Sequence, residues 1–159
     1  MTDDHMHVHE FFGARAADRE VRFPDGGPAF VAGVAALDPA PGDAVLAAGC
    51  GTGRALPVLR EAVGPAGTVI GAELTLEMLQ AAVGAGRDRD ATLLQADAAR
   101  LPLRTASIDA VSASGLVAHL PNPVGDLREL ARVVRQGGAA GRTSRASAGQ
   151  HWRSARSAG

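Results

Sequence analysis

The residues that could do chemistry in this 159-residue chain fall in three places. The first is VLAAGCGTG, Val45–Gly53, where a short apolar run leads into Gly49, Gly51 and Gly53. Glycines in such a turn bring bare backbone against a nucleotide-like ligand, with no Cβ in the way. The second is Glu73, 24 positions beyond Gly49. That is close to the roughly 20-residue offset at which an acid meets a ribose hydroxyl. The third is Asp97, which closes the apolar stretch Ala91–Gln95. A dinucleotide fingerprint, G-x-G-x-x-G, would need glycine at position 54, where Arg54 stands. A nicotinamide-dependent oxidoreductase is therefore disfavoured.

These residues need strands to deliver them and helices to back the strands. Pro41-Gly42-Asp43 turns the chain into a strand at about 44–48, and a helix over 54–63 follows, with Pro57 in its first turn. Gly64–Gly67 breaks that helix. The β-branched, apolar 68–72 reads as a second buried strand ending at Glu73, and Thr75 as the N-cap of a helix over 76–83. Strands at 91–95 and 108–113 come next. Asn122-Pro123 starts a last helix, with Leu127, Leu130, Ala131 and Val134 on its apolar face. Upstream, 11–22 suits a short helix covering a cleft, and 29–37 a helix ended by Asp38-Pro39. Strands alternating with helices imply an α/β, Rossmann-like three-layer sandwich with a mostly parallel sheet. Its ligands belong at the carboxyl ends of the strands.

Composition narrows the partners. Net charge is −1 and aromatics make up 3%, so neither a basic field nor stacking platforms point to nucleic acid. No apolar run is long enough to span a bilayer, and Asp3 and Asp4 stand where a secretory signal would be basic. The single cysteine, Cys50, fits a reducing cytoplasm. It reads as a small residue of the turn rather than a nucleophile. His5, His7 and His9 read as a frayed terminus rather than a metal site.

The C-terminus is of another kind. Of the 22 residues in 138–159, 18 are alanine, serine, glycine or arginine, and none is Val, Ile, Leu, Met or Phe. With nothing to offset ordering entropy, no buried strand is expected there. The expected division is a helical cap at 1–40, a ligand-binding core at 41–138 and a disordered basic tail at 139–159.

The G-x-G-x-G turn, VIGAELTLEML at 69–79, LLQADAARLPL at 93–103, SIDAVSASGLVAHLPNP at 107–123 and LRELARVVRQGG at 127–138 follow one another in order. Together they resemble the class I S-adenosylmethionine (SAM)-dependent methyltransferases, small-molecule type. The resemblance implies SAM as cofactor, with Gly49, Gly51 and Gly53 wrapping its methionine part. Glu73 would accept from both ribose hydroxyls, and Leu74 and Met78 would pack on the adenine. Asp97 would accept from the adenine amino group, the Ala98 amide would face a ring nitrogen, and Ser114 would line the cavity near the sulfonium. The implied reaction is direct transfer of a methyl group to a small-molecule acceptor. His119 is a weak candidate for a base, and a structural histidine is the better reading.

The chain departs from the family in two places. Ala47 replaces the acid usual two residues before the first glycine. The RQGG at 135–138 opens onto the Ala/Ser/Gly/Arg tail instead of a fifth strand. The second departure reads as truncation or a shifted frame, with the C-terminal strands missing and the edge of the fourth strand bare. The alternative function is therefore a catalytically impaired or inactive SAM-binding remnant.

Overall fold

The computed structural model describes residues 27–120, 122–144 and 147–152. Helix α1 (Gly27–Leu37) leads to β1 (Ala44–Ala48), α2 (Leu56–Val63), β2 (Thr68–Glu73), α3 (Leu76–Gly84) and β3 (Thr92–Gln95). Then come β4 (Ile108–Ser112), α4 (Pro123–Val133), β5 (Val134–Ser144) and β6 (Ser147–Trp152). Single 3-10 turns lie at Arg87–Arg89 and Val117–His119. The six strands form one sheet in the order β3-β2-β1-β4-β5-β6. All neighbours are parallel except β5 and β6.

Strand β1 is central because it is apolar on both faces, as a covered parallel strand must be. Val45 and Ala47 pack with Val34 and Leu37 of α1 and Leu56, Leu59 and Val63 of α2. Leu46 and Ala48 face the other way, onto Ile108, Val111, Leu130 and Val133. Three layers result, as expected. The chain builds β1, β2 and β3 outward on one side, then crosses back to lay β4 on the other side of β1. Beyond the carboxyl ends of β1 and β4 the two connections part, which leaves a crevice.

The expectation of no strand after position 138 is corrected by β5 and β6. Ala139, Ala140 and Gly141 pair with Ala110, Val111 and Ser112, and the Ala113 amide donates to the Gly141 carbonyl at 2.9 Å. The edge of β4 is therefore covered. A strand needs only backbone groups for its ladder, and here α1 supplies the apolar surface that β5 lacks. Leu37 lies so close that a Cβ on Gly141 would sit 3.3 Å from its Cδ1. Small residues are what admit the helix.

Two helical details also differ. Asp126, Leu130 and Val133 form the buried face of α4, while Leu127 is 42% exposed. Val134 already belongs to β5. Asp126 is drawn inward because its carboxylate accepts the Asn122 amide, while Asn122 Oδ1 accepts from Gly125. This cap rotates Leu127 outward. Thr75 does precede α3, but its hydroxyl makes no cap bond and is buried without a hydrogen-bond partner. The expected helix over 11–22 and the histidines at 5, 7 and 9 lie outside the described residues.

The β5 register makes a sharp prediction. A Cβ on Gly138 would lie 2.6 Å from both the Asp109 carbonyl oxygen and Val134 Cγ1, whereas one on Gly137 meets nothing within 4 Å. Gly138→Ala should therefore lower unfolding free energy by about 1–3 kcal/mol through overpacking. Gly137→Ala should cost only about 1–2 kcal/mol for its left-handed backbone. Urea denaturation of both variants checks this; a Gly138→Ala variant as stable as the unaltered protein would contradict the pairing of β5 with β4.

Candidate functional site

The glycine turn leaves β1 at the crevice. The Cys50 amide donates to the Ala72 carbonyl at 3.0 Å, fastening the turn to β2, and the Gly53 amide closes it onto the Cys50 carbonyl at 2.9 Å. Gly49, Gly51 and Gly53 all have positive φ, at 64°, 56° and 79°. Their reasons differ. A Cβ on Gly49 would press on Leu116 Cδ1 at 2.9 Å, and one on Gly53 on Leu56 Cδ1 at 2.8 Å. A Cβ on Gly51 would meet nothing within 4 Å. Gly51 therefore presents bare backbone to open space, as a ligand cradle requires.

Glu73 stands at the tip of β2 with both oxygens engaged. Oε2 accepts the Gly51 amide at 2.9 Å, and Oε1 accepts the Thr75 amide at 3.0 Å. A carboxylate offers about four acceptor positions, so two remain for a further donor pair. On the neighbouring strand Gln95 is in register with Glu73, and the Ala96 amide donates to the Glu73 carbonyl at 3.0 Å. Asp97 thus lies two residues beyond the end of β3. Its Oδ1 accepts the Ala99 amide at 2.9 Å, turning the chain so that Ala98 is buried. Leu74 is half-buried at the end of β2, and Met78, on the first turn of α3, is 2% exposed.

On the other side of Gly51 lies a cleft lined by Ala47, Ala48 and the 49–52 turn, by Ser112 and Ser114 from the end of β4, and by Phe30, Arg54 and Ala55. It occupies the topological crevice. Ser112 and Ser114 bring their hydroxyl oxygens to 3.4 Å of each other. The Arg54 guanidinium carbon lies over the Phe30 ring, 5.8 Å from its centre. Ala47 is 3% exposed and adds no acceptor. Burial foremost, and then the Glu73 charge, pushes the Cys50 thiol up to about 12. His119 is exposed in the second 3-10 turn, and it is not among the lining residues.

Several supports were not legible from motif spacing. Arg87, from the first 3-10 turn, donates to the Thr52 carbonyl at 2.6 Å and braces the glycine turn from behind. Arg132 grips Glu129 with two nitrogens, each at 2.8 Å, and also donates to the Leu101 and Leu103 carbonyls. Glu129 in turn accepts the Leu101 amide at 2.8 Å. Its carboxyl is held below the ordinary range, chiefly by the Arg132 hydrogen bonds. The loop that follows Asp97 is thereby strapped to α4. The i, i+3 pair within LRELAR was the available signal. Phe30 and Ser112 gave none.

Residues 46–140 match the family described as "Methyltransferase domain". The chain belongs to it. The chain is 38% identical over 104 residues to an uncharacterized 37.1 kDa protein in transposon TN4556 of Streptomyces fradiae, a match covering 65% of this chain and 30% of that protein. It is also 38% identical over 99 residues to the ubiquinone/menaquinone biosynthesis C-methyltransferase UbiE of Bdellovibrio bacteriovorus, covering 61% and 42%. Both matches take in less than half of the relative's length. The fold is that of a SAM-dependent methyltransferase from Aquifex aeolicus, with TM-score 0.64 and 24% identity over 69% of this chain and 60% of that one. Among the described residues, no helix is long and apolar enough to cross a membrane.

The raised thiol is directly testable. Alkylation of native Cys50 at pH 8 should run about 1,000-fold slower than that of an ordinary thiol, because only the thiolate reacts. Linkage gives a second sign. The unfolded thiol ionises first, so its contribution to stability is complete below about pH 9 and is lost as pH rises toward about 12. Cys50→Ala should remove that part of the alkaline slope. Rapid alkylation of the folded protein would contradict the geometry.

Proposed function

We propose that this chain transfers a methyl group from SAM to a small-molecule acceptor. The observation that carries the reading is the joined strand tips. Glu73 holds Gly51 on one side, Asp97 follows two residues beyond Gln95, its partner in β3, and the cleft opens on the other side over β1 and β4. Glu73 would take the ribose hydroxyls with its remaining acceptor positions. Asp97 and the Ala98 amide would take the adenine edge, Leu74 and Met78 its face, and the glycine turn with Ser114 the methionine end. Gly51, whose missing Cβ leaves open space, fits the backbone approach that such a ligand needs.

When bound, SAM supplies a methyl group already activated by its sulfonium. The chain has to position and enclose. Phe30 and the ends of β1 and β4 line the reacting end and would fix its direction. Ser112 and Ser114 give the acceptor its polar points. No described residue lining the cleft is a carboxylate or an imidazole, so the acceptor's proton passes to solvent or to a group outside the lining, of which His119 is the weak candidate. A small-molecule acceptor agrees with the quinone-biosynthesis C-methyltransferase among the relatives. Residence in the cytoplasm agrees with a lone, protonated cysteine. Ala47 supports a second reading, cofactor binding without turnover, because an aliphatic side chain stands where the family carries an acid.

Calorimetry tests the first reading. SAM should bind saturably and NAD should give no heat. Glu73→Ala and Asp97→Ala should each weaken SAM about 10- to 150-fold, as expected for one charge-assisted contact. Heat with NAD, or affinity for SAM unchanged in both variants, would overturn the assignment. Binding with no transfer of labelled methyl to any of a panel of small acceptors would favour the second reading.

A further inference from the structure

The loop that would meet the adenine is fastened at one residue, Leu101. It starts as a turn at Asp97, whose Oδ1 accepts the Ala99 amide and whose carbonyl accepts the Arg100 amide, each at 2.9 Å. Leu101 comes next and is buried, and both of its backbone groups bond to side chains of α4. Its amide donates to Glu129 Oε1 at 2.8 Å, and its carbonyl accepts from Arg132 Nη2 at 3.1 Å. Arg132 Nη2 and Nε also hold the two Glu129 oxygens, so carboxylate and guanidinium form a paired fork. Nη1 reaches on to the Leu103 carbonyl and the Thr105 hydroxyl, at 3.0 and 3.1 Å. The Arg132 carbonyl then accepts the Ala106 amide at 2.9 Å. Ala106 has a φ of 55° without being glycine, a strain that persists only where surrounding contacts over-determine the backbone. Surface loops ordinarily tolerate variation. This one is held to one geometry along its length, and its first turn carries the groups that would face the base.

We propose that Glu129 and Arg132 are positioning residues for base recognition. By clamping both backbone groups of Leu101, they hold the Asp97–Ala98 turn in the geometry that tells adenine from other bases. They act through the loop rather than by contact with the ligand. This inference rests on the adenosyl-site reading and adds to it what sets the base preference.

Equilibrium titration with S-adenosylhomocysteine and its inosyl analogue isolates the effect. The analogue carries a carbonyl in place of the ring amino group and a hydrogen on the adjacent ring nitrogen. It therefore reverses donor and acceptor at both Asp97 and the Ala98 amide. The unaltered protein should prefer the adenosyl ligand about 10- to 150-fold. Arg132→Gln and Glu129→Gln should each cut that preference at least about fivefold, with affinity for the inosyl analogue changed less than about twofold. Arg132→Lys keeps the charge without the fork and should restore only part of the preference. Gly67→Ala is the control for stability alone, since its Cβ would lie 2.5 Å from Val63 in the other core cluster. It should leave the preference intact. A preference unchanged in folded Arg132→Gln, or lowered as much by Gly67→Ala, would overturn the proposal. The unaltered protein supplies a check that no variant's folding can spoil. Without ligand, its Leu101 amide should exchange with deuterium at least about 100-fold slower than in an unfolded chain; exchange at the unfolded rate would overturn the proposal. If neither ligand binds the unaltered protein, the adenosyl-site reading itself falls, a result distinct from a lost preference.

Discussion

The carboxylate of Glu73 is shared between two backbone amides, and the geometry of the site follows from that sharing. Gly51 and Thr75 belong to different connections, one leaving β1 and the other leaving β2. One side chain at the tip of β2 ties them together. A flexible glycine turn is thereby fixed at low cost in reach, because the acceptor is already positioned by a buried parallel strand. Charge-assisted bonds of this kind are stronger than neutral ones. The same charge helps keep the Cys50 thiol protonated. The turn is therefore chemically quiet as well as geometrically defined.

The sheet must present those tips close together, and small side chains make this possible. Gly71 is one case: a Cβ there would meet Cys50 Sγ at 3.1 Å and Leu93 Cδ2 at 3.2 Å. Ala47, Ala48 and Ala72 are buried at the carboxyl ends of β1 and β2. Larger residues would separate β2 from the turn and pull Glu73 away from Gly51. At the far side the same device seats α1 on β5 through Gly141. Asp109 contributes from the opposite end of the sheet. It accepts the Ala44 amide at 2.7 Å and pairs with Arg135, so the entries to β1 and β5 are both anchored on β4.

Much of this was legible in the residues because it is local or periodic. The strand at 44–48 coincides with β1, and Glu73, Asp97 and the glycine turn fall at strand ends as their spacing indicates. Three features were not. Strand β5 has no apolar pattern, since its pairing uses backbone and its cover comes from α1. The buried face of α4 was misread because Asp126 turns inward to cap its own helix. Thr75 was expected to cap α3, but its amide is committed to Glu73 and its hydroxyl has no partner. In each case the deciding contact is tertiary. Arg87 and Arg132 belong to the same group, since an arginine that reaches backbone carbonyls across 29 to 35 positions leaves no mark on spacing.

The most direct measurement is an amide-resolved NMR titration of the full chain with S-adenosylhomocysteine. The amides of Gly51, Thr75 and Ala98 should shift together, saturating at one ligand equivalent, as the ribose draws on the Glu73 carboxylate that holds the first two and the adenine meets the third. Shifts confined to amides away from the tips of β1, β2 and β3, with Gly51 and Thr75 unmoved at saturation, would contradict the account.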